Sequence, residues 1–434
     1  MTAEIAVMNR SAIALAADSA VTITWGNSSK IYNGAEKLFA LTKHHPVGIM
    51  VFGTGDLCRV SWELIVKQYR VFLGENSFGT LQEYADSFWG FISSQNELIP
   101  TNLKNASLKA MFEETFRALM SIVEQKFIQQ HNSGVEITPE VTHEILGAEI
   151  EELRHLVEQA DYLDGFSSED LLGVKYLTDM LTDAVITDRF GDSPPFPQVL
   201  IDKLKNLFQL LSCKQFPIGV DTGLVIAGYG DLEYFPSVLC FSVKGFVNEK
   251  LRYSETKEKS MSAGACSLQA YAQDEEVLTF MQGINPSLLQ FIDESYKKVL
   301  IKSHSQVESL IAELYEENPE GSSERLEDIN RTMQTSWVEA QKSILGKIQN
   351  EFQFKVHQMI EFLPKEDLAY MAESLVNMTA FKRKVSNESE SVGGPIDVAI
   401  ISKGDGFIWV KRKHYFDKDL NHHYFKNNGV RGNG

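Results

Sequence analysis

Thr2 directly follows the initiator methionine, and removing that one residue would leave a hydroxyl and a free α-amine on the same carbon skeleton. Such a terminus is a self-contained nucleophile and base, in which an N-terminal amine takes the role that histidine plays beside a catalytic serine. A free α-amine has a pKa of about 7.7–8.0, so a useful fraction is neutral near pH 7 and can accept the hydroxyl proton. Threonine is small enough for ordinary aminopeptidase trimming of Met1, so this chemistry needs no propeptide. Further on comes Ala16-Ala17-Asp18-Ser19. Two apolar runs flank the polar Asn9-Arg10-Ser11, which predicts a hairpin whose first strand begins at the terminus.

Residues 2–56 resemble the opening of proteasome β-subunits and their bacterial relatives, the N-terminal-nucleophile hydrolases. The resemblance is carried by Thr2, Ala16-Ala17-Asp18-Ser19, Glu36-Lys37-Leu38-Phe39-Ala40-Leu41 and Gly53-Thr54-Gly55-Asp56. The Thr-to-Asp spacing matches that family without a gap. The Asp-to-Lys interval is longer, with Trp25-Gly26-Asn27-Ser28-Ser29 as an extended loop. Near the far end, Val392-Gly393-Gly394-Pro395 and the apolar run after it are similar to the Gly-Gly and strand late in the same fold.

The resemblance implies roles. Thr2 Oγ would be the nucleophile. Lys37 would lie beneath it, easing formation of the alkoxide and keeping the α-amine neutral by like-charge repulsion. Asp18 would pair with Lys37 and fix its position. The Gly53 amide would hold the oxyanion, where no side chain may obstruct the backbone. Each residue also has a plainer reading: Asp18 as a turn aspartate, Lys37 as an exposed lysine at the start of a strand, Gly53 as a turn glycine with Phe52 in the aligned place. Lys30 is a rival to Lys37, which is preferred because the apolar Leu38–Leu41 run follows it directly. The late motif departs from the family. Ser389 stands where Asp is usual and Val392 where Ser is usual, leaving Ser389, Glu390 and Ser391 (or Glu388) as possible supporting groups. Ser262 in Ser262-Ala263-Gly264 offers a further serine, one place early.

The implied activity is a threonine peptidase acting on peptides or unfolded protein, with no cofactor and no metal. Homo-oligomers as rings or helical arrays, and a separate ATP-dependent unfoldase or adaptor, are the implied partners. The alternatives are an amidase acting on small amides, or a non-catalytic structural or interaction subunit.

The bulk numbers narrow the field. A formal charge of −18 argues against a nucleic-acid binder and matches anionic membranes poorly. Four cysteines, Cys58, Cys213, Cys240 and Cys266, lack CxxC spacing and read as reduced, buried residues of a cytoplasmic protein. No signal peptide or membrane helix is expected. His44-His45 and His422-His423 are adjacent pairs that rarely chelate one metal. His143-Glu144 lacks the second histidine of a zinc-protease helix, and Gly346-Lys347 lacks a phosphate loop.

The elements that must position Thr2, Asp18, Lys37 and Gly53 follow from periodicity. Strands are predicted at 2–8, 12–18, 37–41 and 47–52. Helices follow at 60–73, 80–95, 105–131, 139–161, 168–187 and 196–212. Strands return at 222–230, 236–243 and 246–253, and the Ser262 turn leads to a short helix. A second helical block covers 286–382 with a loop at Asn318–Ser323, before closing strands at 395–402 and 406–411. The expected class is α+β: a four-layer αββα N-terminal-nucleophile sandwich, two stacked antiparallel sheets between helices, with large helical insertions. The expected division is sandwich at 1–58, helical insertion at 59–215, sandwich at 216–285, helical insertion at 286–375, last helix and strands at 376–415, and a polar tail at 416–434.

Overall fold

Alternating apolar residues pair at the start of the chain into β1 (Glu4–Met8) and β2 (Ala12–Ala17), an antiparallel hairpin with Ile5 opposite Ala16. The structure is a computed structural model and describes residues 3–25, 28–132, 138–191, 195–219, 221–314, 319–386, 392–417 and 419–423. Next come β3 (Val21–Trp25) and β4 (Ser28–Tyr32), a separate two-stranded hairpin where the sequence reading has an extended loop. Its first strand is rich in β-branched residues, which favour a pleated backbone. β5 (Leu38–Ala40) and β6 (Val47–Gly53) form a third hairpin, and β7 (Asp56–Leu57) with β8 (Val60–Ser61) a short fourth.

The first helices are α1 (Trp62–Leu73), α2 (Leu81–Ser94), α3 (Thr101–Asn132), α4 (Pro139–Gln159), α5 (Ser168–Gly173), α6 (Lys175–Phe190) and α7 (Gln198–Cys213). Their starts are written locally. Ser61 Oγ accepts from the Leu64 amide, Thr80 and Glu83 make a reciprocal capping box, and Pro139 opens α4. The single helix expected over 168–187 is two, broken at Val174, where the poor helix former Gly173 ends α5.

The strands then resume as β9 (Thr222–Gly228), β10 (Ser237–Val247), β11 (Lys250–Glu255) and β12 (Ser267–Ala270). The strands expected at 236–243 and 246–253 leave a break at Lys244-Gly245. Gly245 is instead a bulge within β10, and the turn falls at Asn248, whose φ is +51°. After α8 (Glu275–Gln282) come two long helices, α9 (Pro286–Leu314) and α10 (Pro319–Ile348), stacked through Tyr296 and Trp337 at 4.0 Å. Pro319–Ser323, expected as loop, belong to the start of α10, while Asn318 lies outside the described residues. A π-helical turn leads to α11 (Phe354–Phe362), then α12 (Lys365–Val385), β13 (Asp397–Ser402) and β14 (Gly406–Lys411).

The fold is therefore mixed α+β, with two five-stranded antiparallel sheets. One has the order β12-β1-β2-β13-β14, the other β11-β10-β9-β6-β5. Their facing sides share a core in which Ala6, Met8, Ile13 and Leu15 meet Leu38, Met50, Val225 and Val238. On the first sheet's opposite face, the small residues Ala12, Ala14 and Ala16 let α12 approach with Leu368, Ala369, Ala372 and Val376. On the second sheet's opposite face, Trp62, Tyr69, Tyr84 and Phe88 of α1 and α2 cover Val51, Leu224 and Phe241. Those two helices fall within the expected insertion at 59–215, yet they share the sheet's core. Likewise α12 begins at Lys365, before the expected boundary at 376. Helices α3, α4, α6 and α7 surround a core of their own, with Phe112 stacked on Phe208 at 4.4 Å. Among the described residues, no helix is long and apolar enough to cross a membrane.

Candidate active site

Asp18 stands immediately after β2, 1% exposed, and four donors from four separate stretches of chain converge on its carboxylate. Oδ1 accepts from the Ala3 amide at 3.1 Å and from Lys37 Nζ at 2.6 Å. Oδ2 accepts from the Gly393 amide at 2.9 Å and the Ala20 amide at 3.2 Å. The Asp18 amide in turn donates to the Ala3 carbonyl at 3.2 Å, so the start of β1 is clamped on both sides. A buried carboxylate away from water needs this set of charged and backbone donors.

The clamp extends through neighbouring backbone. The Ser19 amide donates to the Gly393 carbonyl at 3.2 Å, and Ser19 Oγ donates to the Pro395 carbonyl. The Gly393-Gly394 loop is thereby held against the end of β2. Gly394 has φ +77°, and a Cβ there would come 2.9 Å from Asn33 Cβ, so only glycine fits the passage.

Lys37 enters from the stretch preceding β5 and is 5% exposed. Its carbonyl accepts from the Val51 amide at 2.8 Å, which fixes the backbone against β6. Besides Asp18, its ammonium lies 3.4 Å from Oε1 of Glu4, itself 1% exposed on β1. One buried ammonium thus meets two carboxylates. Glu4 is opposite Ala17, and with Ala6 and Met8 it belongs to the residues of β1 that look between the sheets. Lys30, the rival lysine, is exposed on β4 and lies over the Tyr32 ring at 5.1 Å.

Gly53 ends β6 opposite Thr222, two residues beyond Val51. Its φ is +82°, and a Cβ there would meet the Asp221 carbonyl oxygen at 2.6 Å. The position therefore demands glycine on backbone grounds, whatever its amide does. Beyond it, Thr54, Leu57, Met111, Thr222 and Val243 help to line a cavity of about 290 Å³ between the sheet end and α3. The two-residue turn closing that wall is Cys58-Arg59, with φ of +51° and +68° on two non-glycine residues. Such backbone costs of order 1 kcal/mol or more per residue and is often found beside functional sites.

Of the residues singled out in sequence, Asp18 and Lys37 meet directly. Gly53 is placed on the neighbouring strand. Ser262 is exposed in its turn, where its carbonyl accepts from the Ala265 amide. Thr2, Ser389, Glu390 and Ser391 lie outside the described residues. Val392, which occupies the place of the usual serine, is 5% exposed and packs in the apolar core with α12. Sequence reasoning missed Glu4 and the Gly393 amide. Glu4 had a signal: it is the one charged residue in the apolar run Ala3–Met8. The Gly393 contact had none, since it joins positions 375 residues apart.

Among the described residues, no three His, Cys, Asp or Glu side chains are grouped so as to hold a metal ion. A scan against protein-family models finds no match for this chain, and no curated protein matches its sequence.

Proposed function

We propose that this chain is a proteasome-like threonine hydrolase of the N-terminal-nucleophile class, cleaving peptide bonds through Thr2 after loss of Met1. One observation carries the reading. The amide of Ala3, the residue bonded directly to Thr2, shares the Asp18 carboxylate with the buried Lys37 ammonium. Successive Cα atoms are about 3.8 Å apart, so residue 2 is tethered within one residue of that charge pair. Two further features support it: the helix–sheet–sheet–helix packing order, as expected of that class, and the tie between the late Gly-Gly loop and Asp18.

In this reading Thr2 Oγ attacks the peptide carbonyl carbon while the neutral α-amine takes the hydroxyl proton. The Lys37 ammonium lowers the cost of negative charge on Oγ, and the Gly53 amide faces the oxyanion of the tetrahedral adduct. Collapse of the adduct breaks the C–N bond, and the α-ammonium passes its proton to the leaving amine. Water then adds to the ester, again with the α-amine as base, and releases the acid. The cavity beside Gly53 would take a substrate side chain.

A second reading, a non-catalytic subunit of the same fold, is favoured by Val392, which puts an apolar side chain where an amine-orienting hydroxyl would serve. Intact-mass measurement and labelling with a peptide β-lactone, which acylates hydroxyl nucleophiles, separate the two. The hydrolase reading expects loss of Met1 and a single label that disappears in Thr2→Ala. Retained Met1, or a wild-type chain that takes no label, would leave the structural reading.

A further inference from the structure

Helices α9 and α10 pack along one seam, through the Tyr296–Trp337 stack and a hydrogen bond from Gln341 to Asp293. They meet the rest of the chain chiefly at their base, through α8 and the π-helical turn. Among their described residues only Ile311 is buried, whereas α3, α4, α6 and α7 enclose a core. Two helices alone hide one stripe of each other, and the flanks of that stripe stay wet. At about 100° per residue, Leu288, Ile292, Val299 and Leu310 fall in one narrow arc of α9, all 40% exposed or more. Ser295, Ser303 and Gln306 complete that arc, which carries no charge. Turned the same way from the seam, α10 presents Met333 and Ala340, with Ser336 between them. The opposite flank of α9 carries Glu294, Lys297 and Glu308. The uncharged flank is therefore the one suited to lie against another protein surface.

The hairpin is also polarised along its length. Residues 303–314 and 319–330, the far halves of the two helices, carry six carboxylates against Arg325 alone. The base halves, 286–302 and 331–348, carry six lysines and arginines against three carboxylates, in a chain whose formal charge is −18. Two copies laid antiparallel bring each acidic half against a basic half, whereas a parallel pair sets acid on acid. The size fits as well. With 29 residues in α9 the face is about 43 Å long and about 20 Å wide. That is about 850 Å², close to the roughly 800 Å² that a standard-size interface takes from each partner.

We propose that the uncharged flank of the α9–α10 hairpin docks on the same flank of a second copy, antiparallel, as a four-helix bundle about a two-fold axis. The axis crosses α9 near Ser303, where the charge changes sign, so α9 lies against its counterpart and Ser303 meets the same residue of the second copy. The pairing uses no residue of the proposed active site and stands independently of the hydrolase reading.

The test is the mass of the full chain in solution, by sedimentation and light scattering. Wild type is expected at twice its 48.9 kDa. Ile292→Glu with Val299→Glu sets like charges face to face across the flank and should raise the dimer Kd at least about 100-fold. Ile301→Glu with Val338→Glu changes exposed residues of the other flank and should leave the dimer intact. Under mild oxidation Ser303→Cys should give a disulfide-linked dimer that wild type does not give. Leu288→Cys, about 45 Å from its counterpart across the axis, should not link. A monomeric wild type, including one that takes up a different protein on this flank, would overturn the proposal. So would a dimer that survives Ile292→Glu with Val299→Glu, or linkage through Leu288→Cys in place of Ser303→Cys. If the double glutamate variant does not fold, the two cysteine variants decide alone.

Discussion

Two buried cations sit in opposite surroundings. Lys37 faces the carboxylates of Asp18 and Glu4. Arg252, on β11, is fully buried and is held by carbonyl oxygens: Ser212 at 2.9 Å, Leu211 at 2.8 Å and Lys244 at 3.3 Å, with Met111 sulfur at 3.5 Å. The first two of those acceptors are free carbonyls at the end of α7, where the helix dipole is negative. Burial still pushes the guanidinium down to about 10. The contrast teaches what each region is for. A cation that only ties a helix to a sheet is satisfied by backbone oxygens, and the flat guanidinium suits that task. The compact ammonium of Lys37 has two carboxylates within reach, one more than a simple ion pair needs. Under the proposed hydrolase reading, the second acid has a role because another cation, the terminal amine, would share the space.

The largest expected effect comes from removing the shared ammonium. Lys37→Met leaves Asp18 and Glu4 buried without it, and should lower stability by about 3–5 kcal/mol in urea unfolding while abolishing β-lactone labelling. Arg252→Met strips donors from three carbonyls and should cost about 2–4 kcal/mol, yet the molecules that stay folded should label at the wild-type rate. Equal loss of labelling in both variants would break the division between a chemical and a structural cation. Glu4→Gln keeps the shape and leaves the Lys37–Asp18 pair intact, so stability should fall by about 1 kcal/mol. Removing a nearby negative charge makes an amine easier to deprotonate, and the acid limb of labelling should therefore move to lower pH. An unmoved limb would mean that Glu4 serves packing alone.

The smallest effect concerns the buried thiols, of which Cys213 and Cys58 lie near Arg252 and Cys240 between the sheets. Burial raises Cys213 to about 12 although the Arg252 charge pulls the other way, and burial likewise raises Cys240 to about 12. Burial also raises Cys58. A thiol raised in this way is protonated at pH 8 and unreactive. Thiol titration of the native chain at that pH should count only the partly exposed Cys266, and unfolded chain should count all four. A fast second thiol that maps to Cys213 or Cys58 in native protein would show that the surroundings of Arg252 are more open than its burial implies.

How much of this was legible depended on distance along the chain. The β1–β2 hairpin, the Thr80–Glu83 start of α2 and the helical spacing of Leu368, Ala372, Leu375 and Val376 in α12 are all local patterns, and sequence periodicity finds them. Gly245 misled because a glycine with φ of +93° serves a bulge as well as a turn. The β3–β4 hairpin escapes the sequence reading, whose extended loop over Trp25–Ser29 covers the hairpin's turn and strand ends while the β-branched residues before it are assigned to no element. The grouping of α1 and α2 with the helical insertion failed for a different reason: amphipathic spacing shows that a face is buried, not which surface buries it.

The amino-acid order alone determined the strand alternation, the helix caps and a threonine at the second position, because each depends on neighbours a few residues away. Only the tertiary structure decided that Lys37 rather than Lys30 meets Asp18, that Glu4 joins them, and that Gly393 closes the ring. Those contacts satisfy buried charges with whatever donors folding brings near, and residues separated by hundreds of positions leave no local trace of the meeting.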